Sequence, residues 1–147
     1  MEQGEQKLLK TGFFYSLKLK FMFYISALVG ALVSFFAGCL WYSVFFGKAW
    51  QRLMGFSDEK VKTIFTPKKM ILAFICEWFY AACLTGILFN TSVPFYVGAI
   101  MTAVVIIFSG IKLAIFDGKG LKVILINEGY RLLSVAIMAA SFAIFLH

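Results

Sequence analysis

The sequence predicts an all-α polytopic membrane protein, a four-helix transmembrane bundle with short amphipathic interfacial helices in its first loop. Two observations carry that prediction. Of 147 residues, 62% are hydrophobic and only 14% charged, with a mean hydropathy of +0.91. Soluble domains run at roughly 45–50% apolar and about 25% charged residues, so this chain departs in both directions at once. The apolar residues, 18 phenylalanines among them, also gather into four runs. Each run is close to the roughly 20 residues that cross about 30 Å of hydrocarbon as a helix.

The chain opens on a basic tail, residues 1–20, with Lys7, Lys10, Lys18 and Lys20. This tail is expected to lie along the membrane surface or to stay disordered. The first span, about 21–46, runs from Phe21 to Phe46 without a charge. A secretory signal would have an apolar core of about 7–15 residues before a small-residue cleavage site. This run is longer and leads into Gly47-Lys48, so it should stay in the mature protein. Within it Ser26, Gly30, Ser34 and Gly38 recur every four residues. Such a small-residue stripe lets helix backbones approach closely in lipid. It serves packing inside the bundle or a homo-oligomer interface, and the sequence leaves both open.

The segment from Gly47 to Lys69 is amphipathic. Lys48 to Met54 reads as a short helix ended by Gly55, and Ser57 as the N-cap of another, with Asp58 and Glu59 in its first turn and Pro67 at its exit. Trp50, Leu53, Phe56, Val61, Ile64 and Phe65 give these pieces apolar faces, which suits the membrane interface. The second span, about 70–89, is interrupted once, by Glu77. Asn90 to Pro94 is a short uncharged turn, so the second and third spans form an antiparallel hairpin. The third, about 95–116, carries Lys112 near its end. Asp117-Gly118-Lys119-Gly120 is a second tight turn, and the fourth span, about 121–146, contains Glu128 and Arg131.

Orientation follows from basic residues on the two sides of the membrane. Lys48, Arg52, Lys60, Lys62, Lys68 and Lys69 share a side with Lys119 and Lys122, against the four lysines of the tail. Both basic loops are therefore expected in the cytoplasm, with N and C termini outside. The net charge of +7 thus answers to lipid headgroups, and nucleic acid is excluded as a partner because no reading module surrounds the basic residues. Cys39, Cys76 and Cys83 all fall inside apolar runs, as small hydrophobes do. The only histidine is His147, so the ligands for a zinc or haem site are missing and no cofactor or metal is expected.

Ionisable residues inside a membrane are the best functional pointers in such a chain. At a rise of about 1.5 Å per residue, Glu77 lies about 12 Å and Glu128 about 10 Å from the basic-loop end. Arg131 is roughly one turn deeper, leaning back toward the helix N-terminus, and Lys112 can snorkel to the same interface. Glu128 and Arg131 can pair at i and i+3, with Asn127 beside them. Glu77 stands in a row with Ala73, Ala81 and Thr85, small and polar enough to face inward. The candidate site is thus one polar layer of Glu77, Lys112, Asn127, Glu128, Tyr130, Arg131, Trp41, Tyr42 and Ser43. It fixes helix register, forms a solute or ion path, or binds an anionic lipid headgroup through Arg131 and Lys112.

The run Trp41-Tyr42-Ser43-Val44-Phe45-Phe46-Gly47-Lys48-Ala49-Trp50, continuing to Ser57, resembles the first motif of a small bacterial membrane family known as domain of unknown function 1761. Phe116 to Lys122, followed by Ile126-Asn127-Glu128-Gly129-Tyr130-Arg131, is similar to that family's last loop and helix start. The resemblance covers the chain from about Ala27 to its end and implies four membrane helices in a bacterial inner membrane. It carries over no catalytic residue, substrate or cofactor. Glu128 departs from the alanine-like residue expected there, and the stretch Ile107 to Leu113 is less polar than the family pattern. The leading functional expectation is a non-catalytic membrane assembly or interaction protein, partnered by lipid and by a second copy or another membrane protein. The alternative is a small transporter or channel component using the polar layer. A membrane enzyme comes third, because no nucleophile–base pair or metal set is visible.

Overall fold

The computed structural model describes residues 2–146, with side chains from residue 14 onward. The described chain is helical, without strands. Helix α1 (Glu2–Leu40) passes into one π-helical turn (Trp41–Phe45), followed by α2 (Gly47–Leu53) and α3 (Asp58–Ile64). The long helices α4 (Pro67–Asn90), α5 (Phe95–Phe116) and α6 (Leu121–Leu146) complete the fold. Four segments are long and apolar enough to cross a membrane: Phe14–Phe45, Pro67–Asn90, Phe95–Phe116 and Leu121–Leu146. The protein is a multi-pass helical membrane protein.

The backbone of the basic tail is helical. Residues from Glu2 onward continue the helix of the first span. The physical reason is cooperativity: a helix already nucleated in lipid extends at little cost through Leu, Lys and Gln, which are good helix formers, and no proline interrupts them.

The loop elements follow their sequence signals. Ser57 Oγ accepts a hydrogen bond from the Lys60 amide at 3.2 Å, capping α3. Pro67 opens α4 at a position where its missing N–H costs nothing. Gly55 and Gly118 take positive φ, 65° and 66°, to end α2 and to turn the chain after α5. Gln51 Nε2 donates to Asp58 Oδ1 at 2.7 Å, tying α2 to α3. Trp50 meets the rings of Tyr42, Phe56 and Phe65 edge-on at 5.7, 5.5 and 6.5 Å, so the apolar faces of this segment pack on one another.

The bundle is organised by α6, which packs along α1 on one side and α5 on the other, while α4 lies against α1. The small-residue stripe of α1 is spent on α6. A Cβ on Gly30 would sit 3.4 Å from the Met138 backbone, and one on Gly38 would press into the Tyr130 ring. Ser34 and Ser134 oxygens are 2.7 Å apart, and Ser141 Oγ donates to the Ser26 carbonyl at 2.8 Å. Each four-residue step down α1 thus meets a step of about four up α6, an antiparallel register held from Ser26 to Gly38. The buried residues are mostly small, including Ala27, Ala31, Ala81, Ala99, Ala103 and Ala139, while Phe36, Ile71, Phe79, Val105, Phe108 and Ile144 point outward. Helices packing in lipid require this inversion, since close approach rather than hydrophobic transfer holds them together.

Candidate functional site

The π-helical turn is the first element of the site. Its wide turn is closed by the Phe46 amide on the Trp41 carbonyl at 2.9 Å, and π-turns recur at functional positions. Here the two successive residues Trp41 and Tyr42 both reach α6. Trp41 Nε1 donates to the Ile126 carbonyl at 3.0 Å and the Tyr42 hydroxyl to Asn127 Oδ1 at 3.2 Å. Gly47 makes the turn sterically workable, because a Cβ there would lie 2.7 Å from the Tyr42 backbone oxygen.

Glu77, half-buried on α4, is the second element. Its Oε1 accepts from Ser34 of α1, from Ser134 of α6 at 2.7 Å and from Tyr130 of α6 at 3.3 Å. Tyr130 also reaches the Ser34 carbonyl at 3.4 Å. Three hydroxyls therefore crowd one carboxylate oxygen and join α1, α4 and α6 at one level. Gly38 admits the Tyr130 ring, since a Cβ at that position would stand 2.7 Å from its hydroxyl.

The third element is the Glu128–Arg131 pair of α6, packed against α5. Arg131 Nη1 lies 3.4 Å from Glu128 Oε2 and 3.5 Å from the Ile106 carbonyl. The Glu128 side chain is 10% exposed, whereas that of Arg131 retains 40%. Gly110 of α5 makes room for both: a Cβ there would collide with Arg131 Nη1 and sit 2.5 Å from Glu128 Oε1.

Between these elements lies a cavity of about 600 Å³, lined by Tyr42, Glu77, Tyr80, Ile106, Asn127, Tyr130, Arg131 and Ser134. The volume falls in the range of small-molecule sites, about 300–1,000 Å³. The Tyr80 hydroxyl is buried and has no hydrogen-bond partner among the described residues. The Tyr42 and Tyr130 rings meet edge-on at 5.5 Å on the same lining. A second space of about 380 Å³, beneath α2 and α3, shares Tyr42 with the first.

Of the polar layer, Glu77, Asn127, Tyr130, Arg131 and Tyr42 come together around the cavity, with Glu128 behind Arg131 and Trp41 anchoring the turn. Two residues stand apart. Lys112 is exposed on α5 and off the cavity lining, so it does not join Arg131 in one anion site. Ser43 is exposed and spends its hydroxyl on the Cys39 carbonyl at 2.5 Å. In the row with Glu77, Ala81 and Thr85 are buried while Ala73 is exposed.

Sequence reasoning missed Ser134, Tyr80, Ile106 and Gly110 at this site. For Ser134 a signal existed, because Asn127, Tyr130 or Arg131, Ser134 and Ser141 fall at helical spacing on one face. Tyr80 lies one turn from Glu77 and could have been found the same way. For Ile106 and Gly110 no local signal exists, since one is an apolar residue among many and the other matters only through the side chains packed over it.

No curated protein and no solved structure matches the chain. The model of the family described as "Protein of unknown function (DUF1761)" matches residues 25–142. That range takes in the π-turn, Glu77 and every residue lining the cavity, and the chain therefore belongs to the DUF1761 family.

Proposed function

We propose that this protein is a non-catalytic membrane protein that admits a small polar solute into the Glu77–Arg131 cavity from the side of its two basic loops, as a carrier or a component of one. The observation that carries this reading is a cavity with Glu77, Asn127, Arg131 and Ser134 on its lining, set within a bundle whose outer face is apolar, with a buried Tyr80 hydroxyl left unpartnered on its wall. Polar lining at membrane depth is costly, so the register role alone, which the Ser34–Glu77–Ser134 contacts already serve, does not account for an open space beside them. A non-catalytic role is supported by the hydroxyl geometry. Three hydroxyls converge on one carboxylate oxygen, an arrangement that immobilises the carboxylate instead of aiming one hydroxyl at a substrate. The assembly reading has weaker support, because Gly30 and Gly38 face α6, so the small-residue stripe of α1 is already used inside the bundle.

Thiol accessibility tests this. In a background with Cys39, Cys76 and Cys83 replaced by alanine, Ile106→Cys should react with a charged, membrane-impermeant methanethiosulfonate added to the basic-loop side. Phe108→Cys, 68% exposed on the lipid face of the same helix, should stay unreactive. Equal inertness of the two positions would sink the solute-cavity reading.

A further inference from the structure

Resting on that cavity, we infer that its ligand is a small organic cation, held by the Glu77 carboxylate among the rings of Tyr42, Tyr80 and Tyr130. The argument begins with charge. Among the described residues the ion pairs are Lys119–Asp117, outside the bundle core, and Arg131–Glu128 within it. Among the described residues Glu77 has no cationic partner. Its Oε1 takes all three hydroxyls, and no described group donates to its Oε2. The layer thus holds two carboxylates and one guanidinium, so a positive charge is what it lacks. An unpaired charge at membrane depth is expensive, and such groups pair with one another or mark the path of an ion or substrate.

The competing charge on the lining is Arg131, and its geometry directs it elsewhere. Its Nη1 lies toward Glu128 and the Ile106 carbonyl, in the space that Gly110 leaves open against α5. Glu77 projects from α4, across the cavity lining. Nearest to it in the chain is Tyr80, one turn further along α4, with its hydroxyl unpartnered. A phenolic oxygen accepts as well as donates, so it suits an ammonium N–H. Aromatic rings attract alkylammonium groups through their faces, and a carboxylate beside them supplies the opposite charge. A space of about 600 Å³ with one carboxylate on its wall suits an organic monocation better than a bare divalent metal, which needs several oxygen ligands at bonding distance.

The test is calorimetric titration of the purified, detergent-solubilised protein with tetraethylammonium and with benzylammonium, against inorganic phosphate and glycine, at constant ionic strength. Saturable binding of at least one of the two cations, with none of phosphate or glycine, is the expected result. Glu77→Gln should weaken that binding at least tenfold. Its amide oxygen can still accept from Ser34, Ser134 and Tyr130, so the fold should persist, as checked by its melting temperature and elution volume. Binding of phosphate or glycine but not the cations would move the ligand to Arg131 and overturn the cation assignment, while leaving the cavity as a solute site. Undiminished cation binding by Glu77→Gln, or no saturable cation binding by the wild-type protein, would also overturn it. The wild-type panel decides between cation and anion without relying on any variant. The thiol experiment at Ile106 separates failure of this assignment from failure of the cavity.

Discussion

At the scale of single residues, the site is governed by where hydrogen bonds are made and where one is missing. Removing a partner from a buried hydrogen bond costs about 1–3 kcal/mol, whereas removing an unsatisfied polar atom can be neutral or stabilising. Tyr80→Phe should therefore leave the melting temperature unchanged or raise it, because its hydroxyl bonds to no described group. Tyr130→Phe should lower it, because its hydroxyl serves Glu77 and Ser34. A thermal-melt comparison in one detergent checks both, and the reverse order would mean that Tyr80 is satisfied within the protein. Ser34 and Ser134 form a tighter unit, since each touches the other and Glu77. Alanine at both positions should be non-additive by about 0.5–3 kcal/mol in a double-mutant cycle. These particulars show what was legible. The charges at 77, 128 and 131 stand out from any apolar run, but the serines that hold Glu77 look like ordinary small residues until a neighbouring helix is placed against them.

At the scale of elements, the α1–α6 contact carries the fold, and it rests on matched steps of four residues. Gly38 gives way to the Tyr130 ring and Gly30 to the Met138 backbone. Overpacking a tight contact costs about 1–3 kcal/mol, so Gly30→Leu and Gly38→Leu should each destabilise the bundle by about that amount. Denaturation in mixed micelles reads the loss, and size-exclusion chromatography with light scattering should show the same mass for the folded fraction of each variant. A variant that stays fully folded but falls to a smaller assembly would return the stripe to an oligomer interface. The four-residue spacing was readable from the first span alone. Its partner was not, because packing within a chain and packing between chains ask for the same small residues. The π-turn at Trp41–Phe45 was likewise hidden, being a backbone deviation that Gly47 permits without announcing.

At the scale of the whole molecule, the basic loops gather at one end of the bundle, the end from which the cavity is proposed to fill. Lys48, Arg52, Lys60 and Lys62 lie before α4, Lys68 and Lys69 in its first turn, Lys119 in the α5–α6 turn and Lys122 at the start of α6. The excess of Lys and Arg at that end predicts that it faces the cytoplasm. Single cysteines at Ser57 and Gly118 should label from the same face of sealed vesicles, and one at Val93 from the other. Labelling of Ser57→Cys and Val93→Cys from a common face would contradict four crossings in this order. With that orientation the proposed solute would enter from the cytoplasmic side, and Glu77 lies about ten residues, or about 15 Å, inside α4 from its start.

The sequence by itself determined the class of molecule. Four apolar runs bounded by charges, prolines and glycines admit only membrane-crossing helices, because in hydrocarbon each backbone polar group must be satisfied within its own segment. It also marked the depth at which polar groups sit, since helix rise converts position into distance. The tertiary structure alone decided which of those groups meet. Helices in lipid associate through close fit, so the neighbours of Glu77 depend on which small faces approach, on Gly38 admitting one ring and Gly110 a guanidinium. Lys112 and Arg131 both lie in the half of the bilayer next to the basic loops, yet packing turns one outward and the other to the cavity. That rotation about the helix axis is set by neighbouring helices, not by the residue that carries the charge.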